Sequence, residues 1–132
     1  MTISKNNDTV RNVIASWVGM VKRGAMKDFV VDMAEKMYSD LYVKRYRPFL
    51  PLLTILQKPK DVDRFVVLAN SCLTCNTYEQ LDSIQCPVLV MGSSQDKVVT
   101  GEASEEIAER LGCQLHMYEG LGHAAYEEAK EM

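Results

Sequence analysis

Two side chains hold the chemistry that this sequence offers: Asp96 in "GSSQDKVV" and His123 in "EGLGHAAYEE". A carboxylate that accepts a hydrogen bond from one imidazole nitrogen fixes the tautomer and stabilises the imidazolium. The other nitrogen is then left to act as a base. Each residue follows shortly after an apolar run, and Gly120 and Gly122 give the histidine loop freedom to turn back towards the acid. Taken alone, either residue reads as an ordinary loop position. The pair becomes informative only if the preceding elements bring both to one edge.

Those elements are legible. "CPVLVMGS", from Cys86 to Ser93, is a short continuous apolar run, the pattern of a strand buried on both faces of a parallel sheet. "EASEEIAERLG" follows as an amphipathic helix. Ala103, Ile107, Ala108 and Leu111 face inward, Thr100 serves as N-cap, and Gly112 fits the left-handed position past its end. "CQLHMYE" is a second strand, and "AAYEEAKEM" opens another helix. Strand, helix, strand at these lengths predicts a βαβ unit with adjacent, parallel strands. Ligands and catalysis gather beyond the carboxyl ends of such strands, so Asp96 and His123 are expected at the same rim.

Before residue 86 every regular element reads as helix. Val10, Val13, Ile14, Trp17, Val18 and Val21 recur at helical spacing, with Gly24 as a stop. Phe29, Met33, Met37 and Leu41 make a second stripe. Pro48 and Pro51 predict a broken or kinked helix, and a further one opens near Pro59 and runs through Val62, Phe65, Val66, Ala69 and Leu73. The methionines and tyrosines of this half read first as core and second as pocket lining. The expected fold class is α/β, with a helical cap or lid over residues 1–80 and a C-terminal βαβ segment over 81–132 carrying the acid and the base.

Composition narrows the function. Of 132 residues, 47% are hydrophobic and 25% charged, as in a soluble globular domain. A net charge of −3 supplies no basic surface for nucleic acid, and Lys44, Arg45 and Arg47 read as a solvated helix face. No apolar run approaches the ~20 residues of a membrane span, and "MTISKNNDTV" lacks the apolar core of a secretory signal. Four cysteines without an export signal then read as reduced thiols of a cytoplasmic protein. Cys72 and Cys75 in "SCLTC" could form a redox pair or half of a metal site. The pair falls late in a helix, far from the helix N-terminus that activates such thiols, and Cys86, Cys113, His116 and His123 lack paired metal-ligand spacing. Neither a metal nor a cofactor is expected.

The run "LDSIQCPVLVMGSSQDKVVTGEASEEIAERLGCQLHMYEGLGHAAYEE" resembles the C-terminal third of the α/β-hydrolase fold. In that family "I-x-C-P-V-L-V-x-G…D" brings the triad acid off one strand and "G-x-G-H" brings the base off the last. The resemblance implies Asp96 as acid and His123 as base, in hydrolysis of a small-molecule ester, amide or related acyl compound. It also implies that the helical stretch from about 10 to 80 is the cap many such enzymes insert over the active site. Gly101 stands near where many members have proline. The family's nucleophile precedes the acid, in a G-x-S-x-G turn between strand and helix, and no such motif occurs here. The nearest imitation is Ser94, with Asp96 two places on where the elbow wants glycine.

The chain therefore reads as a partial α/β-hydrolase fold, a fragment without the nucleophile and inactive by itself. The alternative is a non-enzymatic interaction module or the complementing subunit of a split hydrolase. Either way the far edge of the first strand would be bare and apolar, a template for pairing. A homodimer is expected through the edge of strand 87–92.

Overall fold

Asn7 opens the first helix, α1 (Asp8–Lys22), by accepting the Val10 amide proton on its side chain at 2.9 Å. The computed structural model describes residues 7–50, 52 and 61–131. Gly24, at φ +71°, turns the chain out of α1 and into α2 (Met26–Met37). Ser39 caps α3 (Asp40–Tyr46), and Asp61 caps α4 (Val62–Thr74). Pro48 lies in a 3-10 turn, Arg47–Phe49, so the helix breaks there as expected. The expectations for Pro51 and Pro59 fall outside the described residues. Among the described residues no helix is long and apolar enough to cross a membrane.

The apolar stripe of α1 packs inward as its spacing predicts: Val10, Val13, Ile14, Trp17 and Val21 are buried against Phe29 and Val30 of α2 and Ala69 of α4. Phe29 sits edge-on between Trp17 and Phe65, with ring centroids 6.1 and 5.3 Å away. The second stripe is shorter than expected. Tyr38 is extended, which breaks the helical phase between α2 and α3, and Leu41 falls on the outside. Tyr38, Tyr42 and Tyr46 instead form a ladder of rings, with centroids 4.7 and 4.5 Å apart.

The second half is the βαβ unit: β1 (Leu89–Ser93), α5 (Gly101–Leu111) and β2 (Gln114–Tyr118), followed by the short α6 (Ala125–Glu128). The strands are parallel, in a register from Leu89 opposite Gln114 to Ser93 opposite Tyr118. Among the described residues they make a sheet of two strands within a mostly helical fold.

Two expectations need correction. β1 is covered by α5 on one face only. Leu89 and Met91, on the other face, are 55% and 62% exposed, because no described element packs over them. Thr100 makes no side-chain cap; it stands at φ +66°, just after the turn that Asp96 closes on the Val98 and Val99 amides. That region is costly for a β-branched residue, by ~1–3 kcal/mol. Gly112 does adopt the left-handed C-cap of α5, at φ +58°.

Candidate active site

The β1–β2 ladder continues past the strands. Ser94 donates its amide to the Tyr118 carbonyl at 3.0 Å, and Gln95 donates to Leu121 at 2.9 Å. The two loops therefore leave the same rim side by side, as parallel neighbours must.

The acid loop folds around its own carboxylate. Oδ1 of Asp96 accepts the amides of Val98 and Val99 at 2.8 and 2.9 Å, the local competition with regular structure that Asp favours. This turn delivers the Val98 and Val99 side chains into the hydrophobic core formed by the helices. Oδ2 is left pointing at His123, 2.7 Å from Nδ1. The two side chains are only 13% and 12% exposed.

Burial pushes the Asp96 carboxyl up. The hydrogen bond from His123, the Val99 amide, the electrostatic attraction of the His123 ring and the Val98 amide pull it down and prevail, so its pKa lies below the ordinary carboxylate value. An ionised Asp96 then accepts from Nδ1–H, which fixes the tautomer with a free lone pair on Nε2. Among the described residues no hydrogen bond reaches Nε2. An imidazole held this way can accept a proton at Nε2.

The histidine loop is held differently from what its glycines suggest. Gly120 turns the chain at φ +75°. Gly122 is needed for a close approach: a Cβ there would lie 2.5 Å from the Tyr38 carbonyl carbon and 2.7 Å from both the Met37 oxygen and the Ser39 nitrogen. The loop lies backbone to backbone on the turn between α2 and α3. Ala124 donates to the Met37 carbonyl at 2.8 Å.

Glu128, 4% exposed, completes the junction. Its Oε1 accepts the Gly122 amide at 2.8 Å and the Ser39 amide at 3.1 Å, and its Oε2 accepts the Ser39 hydroxyl. Beside it the Tyr38 phenol donates to Glu127. Burial and that carboxylate push the phenol well above its usual range.

The remaining residues singled out by sequence lie elsewhere or serve other contacts. Ser94 is at the rim, but its oxygen accepts the Gly120 amide at 2.8 Å and so ties the two loops together. The Cys72 thiol donates to the Leu68 carbonyl at 3.5 Å, and Cys72 packs against the helical core; Cys75 ends α4. His116 stacks edge-on against Tyr118 within β2. No three metal-binding side chains cluster among the described residues.

Sequence reasoning missed Glu128 and Ser39. "YEEAKE" has the look of a solvated acidic face, and nothing in that run distinguishes the one carboxylate that turns inward. Nor does "GSSQDKVV" by itself tell that Val98 and Val99 dock into the helical core.

Residues 52–130 match the family described as serine aminopeptidase, S33. The match reaches beyond the βαβ unit to include α4. The fold is similar to that of an α/β-hydrolase enzyme from a Medee basin deep-sea metagenome library, with a TM-score of 0.82 at 20% identity, over 98% of this chain and 50% of that one. It is also similar to an esterase from Exiguobacterium antarcticum, with a TM-score of 0.73 at 17% identity, over 89% of this chain and 43% of that one. The chain thus spans about half the length of these solved structures. No curated protein matches it.

Proposed function

The chain belongs to the serine aminopeptidase, S33, family and carries a partial α/β-hydrolase fold, and from that premise we propose that it supplies the acid and base of a serine hydrolase. The substrate is a small-molecule ester, amide or related acyl compound. Asp96 holds Nδ1 of His123. Nε2 takes the proton of an attacking serine and returns it to the leaving group, so each protonation is balanced within the cycle. The 132 residues contain no G-x-S-x-G. Serine and oxyanion donors are therefore assigned to polypeptide outside them, whether on the same chain or another. The helices before β1 serve as the cap that shapes the pocket.

The observation that carries this reading is the part-buried 2.7 Å contact between Asp96 and His123 at the carboxyl rim of parallel strands. A fluorophosphonate probe, which labels activated serines, tests it. Residues 1–132 alone are expected to stay unlabelled; mixed with an N-terminal-half polypeptide of a relative carrying G-x-S-x-G, that partner's serine is expected to label. Labelling of the pure chain that disappears in Ser94→Ala would replace this reading with a self-sufficient enzyme.

A second reading, as an interaction module, is favoured by the open face and edge of β1, where Leu89 and Met91 are more than half exposed. An apolar strand edge of this kind recruits another strand. Self-association through it is expected at high micromolar concentration, with Met91→Lys returning the chain to a monomer. Light scattering that finds the unmodified chain monomeric there would remove this reading.

A further inference from the structure

The residues on both sides of His123 are tied to the turn between α2 and α3, Ala124 directly and Gly122 through Glu128. On one side Ala124 donates to the Met37 carbonyl at 2.8 Å. On the other, Gly122 donates to Glu128, and the same carboxylate oxygen accepts the Ser39 amide. A carboxylate this buried is costly unless its lone pairs are satisfied. Here two of its donors come from Ser39, and the third is the N–H of Gly122, the residue before the histidine. The Ser39 hydroxyl oxygen in turn accepts the Tyr42 amide at 3.3 Å, so the strut continues into α3.

We propose that Glu128 is a positioning residue for His123: it clamps the Gly122 peptide to Ser39, and the helical half thereby sets where the imidazole stands. The inference rests on the reading of His123 as the base, and it adds a role that no motif assigns to Glu128. A purely local role, capping α3, would need only the Ser39 contacts. The bond to Gly122 is superfluous to a cap, yet it is the shorter of the two amide contacts, 2.8 against 3.1 Å. The close approach at Gly122 leaves the loop no slack, so a displacement of the α2–α3 turn is passed to the histidine. A misplacement of about 1 Å in a catalytic group can cost roughly 10²-fold in rate.

The test needs no catalysis. The Nδ1 proton of a histidine bonded to a buried carboxylate exchanges slowly with solvent, and its exchange is read by proton NMR on the chain as it stands. Glu128→Ala is expected to speed exchange of the His123 Nδ1 proton about tenfold, the order expected for loss of a charge-assisted hydrogen bond. Backbone amides of the β1–β2 ladder should keep their protection, which a general loss of stability would not allow.

Glu128→Gln retains an oxygen for the Gly122 amide and loses the charge. Its expected acceleration is about threefold, and it decides the matter if the alanine variant does not fold. Unchanged exchange in either folded variant would overturn the clamp while leaving the base reading intact. If the unmodified protein shows no protected Nδ1 proton, the base reading itself fails, and the clamp with it.

Discussion

In an enzyme reconstituted with a serine-bearing front half, His123→Ala is expected to lower turnover by roughly 10⁶-fold, the order found when a triad base is removed from a serine hydrolase. Asp96→Asn should cost about 10⁴-fold, because an amide presents its N–H₂ to Nδ1 and turns the imidazole into the wrong tautomer. The asparagine oxygen can still accept the Val98 and Val99 amides, which bind Oδ1 in the native loop. The loop should therefore keep its shape while the chemistry is lost. Rates of probe labelling, compared with circular dichroism of each variant, separate the two effects. Full activity in His123→Ala would dismiss the histidine as base.

The same aspartate has a consequence in acid. Its folded pKa is depressed relative to the unfolded chain, so its contribution to stability is complete above the unfolded carboxylate pKa, about 3.9. That contribution is lost as pH falls through the lower folded value. Thermal unfolding followed from pH 6 down to 2 should show a decline in Tm below about pH 4, part of which is absent in Asp96→Asn. Parallel curves for the two proteins would mean that Asp96 is not held ionised by His123.

The largest structural effect is expected at Gly122. A methyl group there would stand 2.5 Å from the Tyr38 carbonyl carbon, and the neighbouring atoms within 2.7 Å are also backbone. No flexible side-chain end can move aside, and the flanking hydrogen bonds to Met37 and Glu128 prevent the loop from backing away. Overpacking a closed site costs ~1–3 kcal/mol and sometimes more; against rigid backbone Gly122→Val should reach at least about 3 kcal/mol in urea unfolding. Gly24 provides the comparison. It has φ +71° and nothing within 4 Å of a would-be Cβ, so Gly24→Ala should cost only ~1 kcal/mol, from backbone conformation alone. Equal costs at the two positions would reject the close-approach account of Gly122.

Much of the architecture follows from local pattern. The 3.6-residue spacing of Val10, Val13, Ile14, Trp17 and Val21 specifies which side of α1 is buried, because a helix has one apolar face to hide. The apolar run before Asp96 and the one before His123, separated by an amphipathic helix ending at Gly112, specify parallel strands. Parallel strands specify a shared rim. From there the proximity of Asp96 and His123 needs no long-range information beyond the crossover itself. These are short-range regularities, and a sequence displays them directly.

What the sequence could not display is contact between residues with no common period. The open face of β1 is such a case: an apolar run looks the same whether one side or both are covered, and burial depends on what other elements exist to cover it. Thr100 could not be read as strained, because a positive φ at a β-branched residue leaves no mark in the sequence. Glu128 is the clearest instance. Its neighbour Glu127 differs from it in sequence by one position, yet only Glu128 meets Ser39 and Gly122, residues 89 and 6 positions away. A side chain's type fixes which bonds it is able to make, whereas the packing of the helical half on the βαβ unit chooses which partners come within reach.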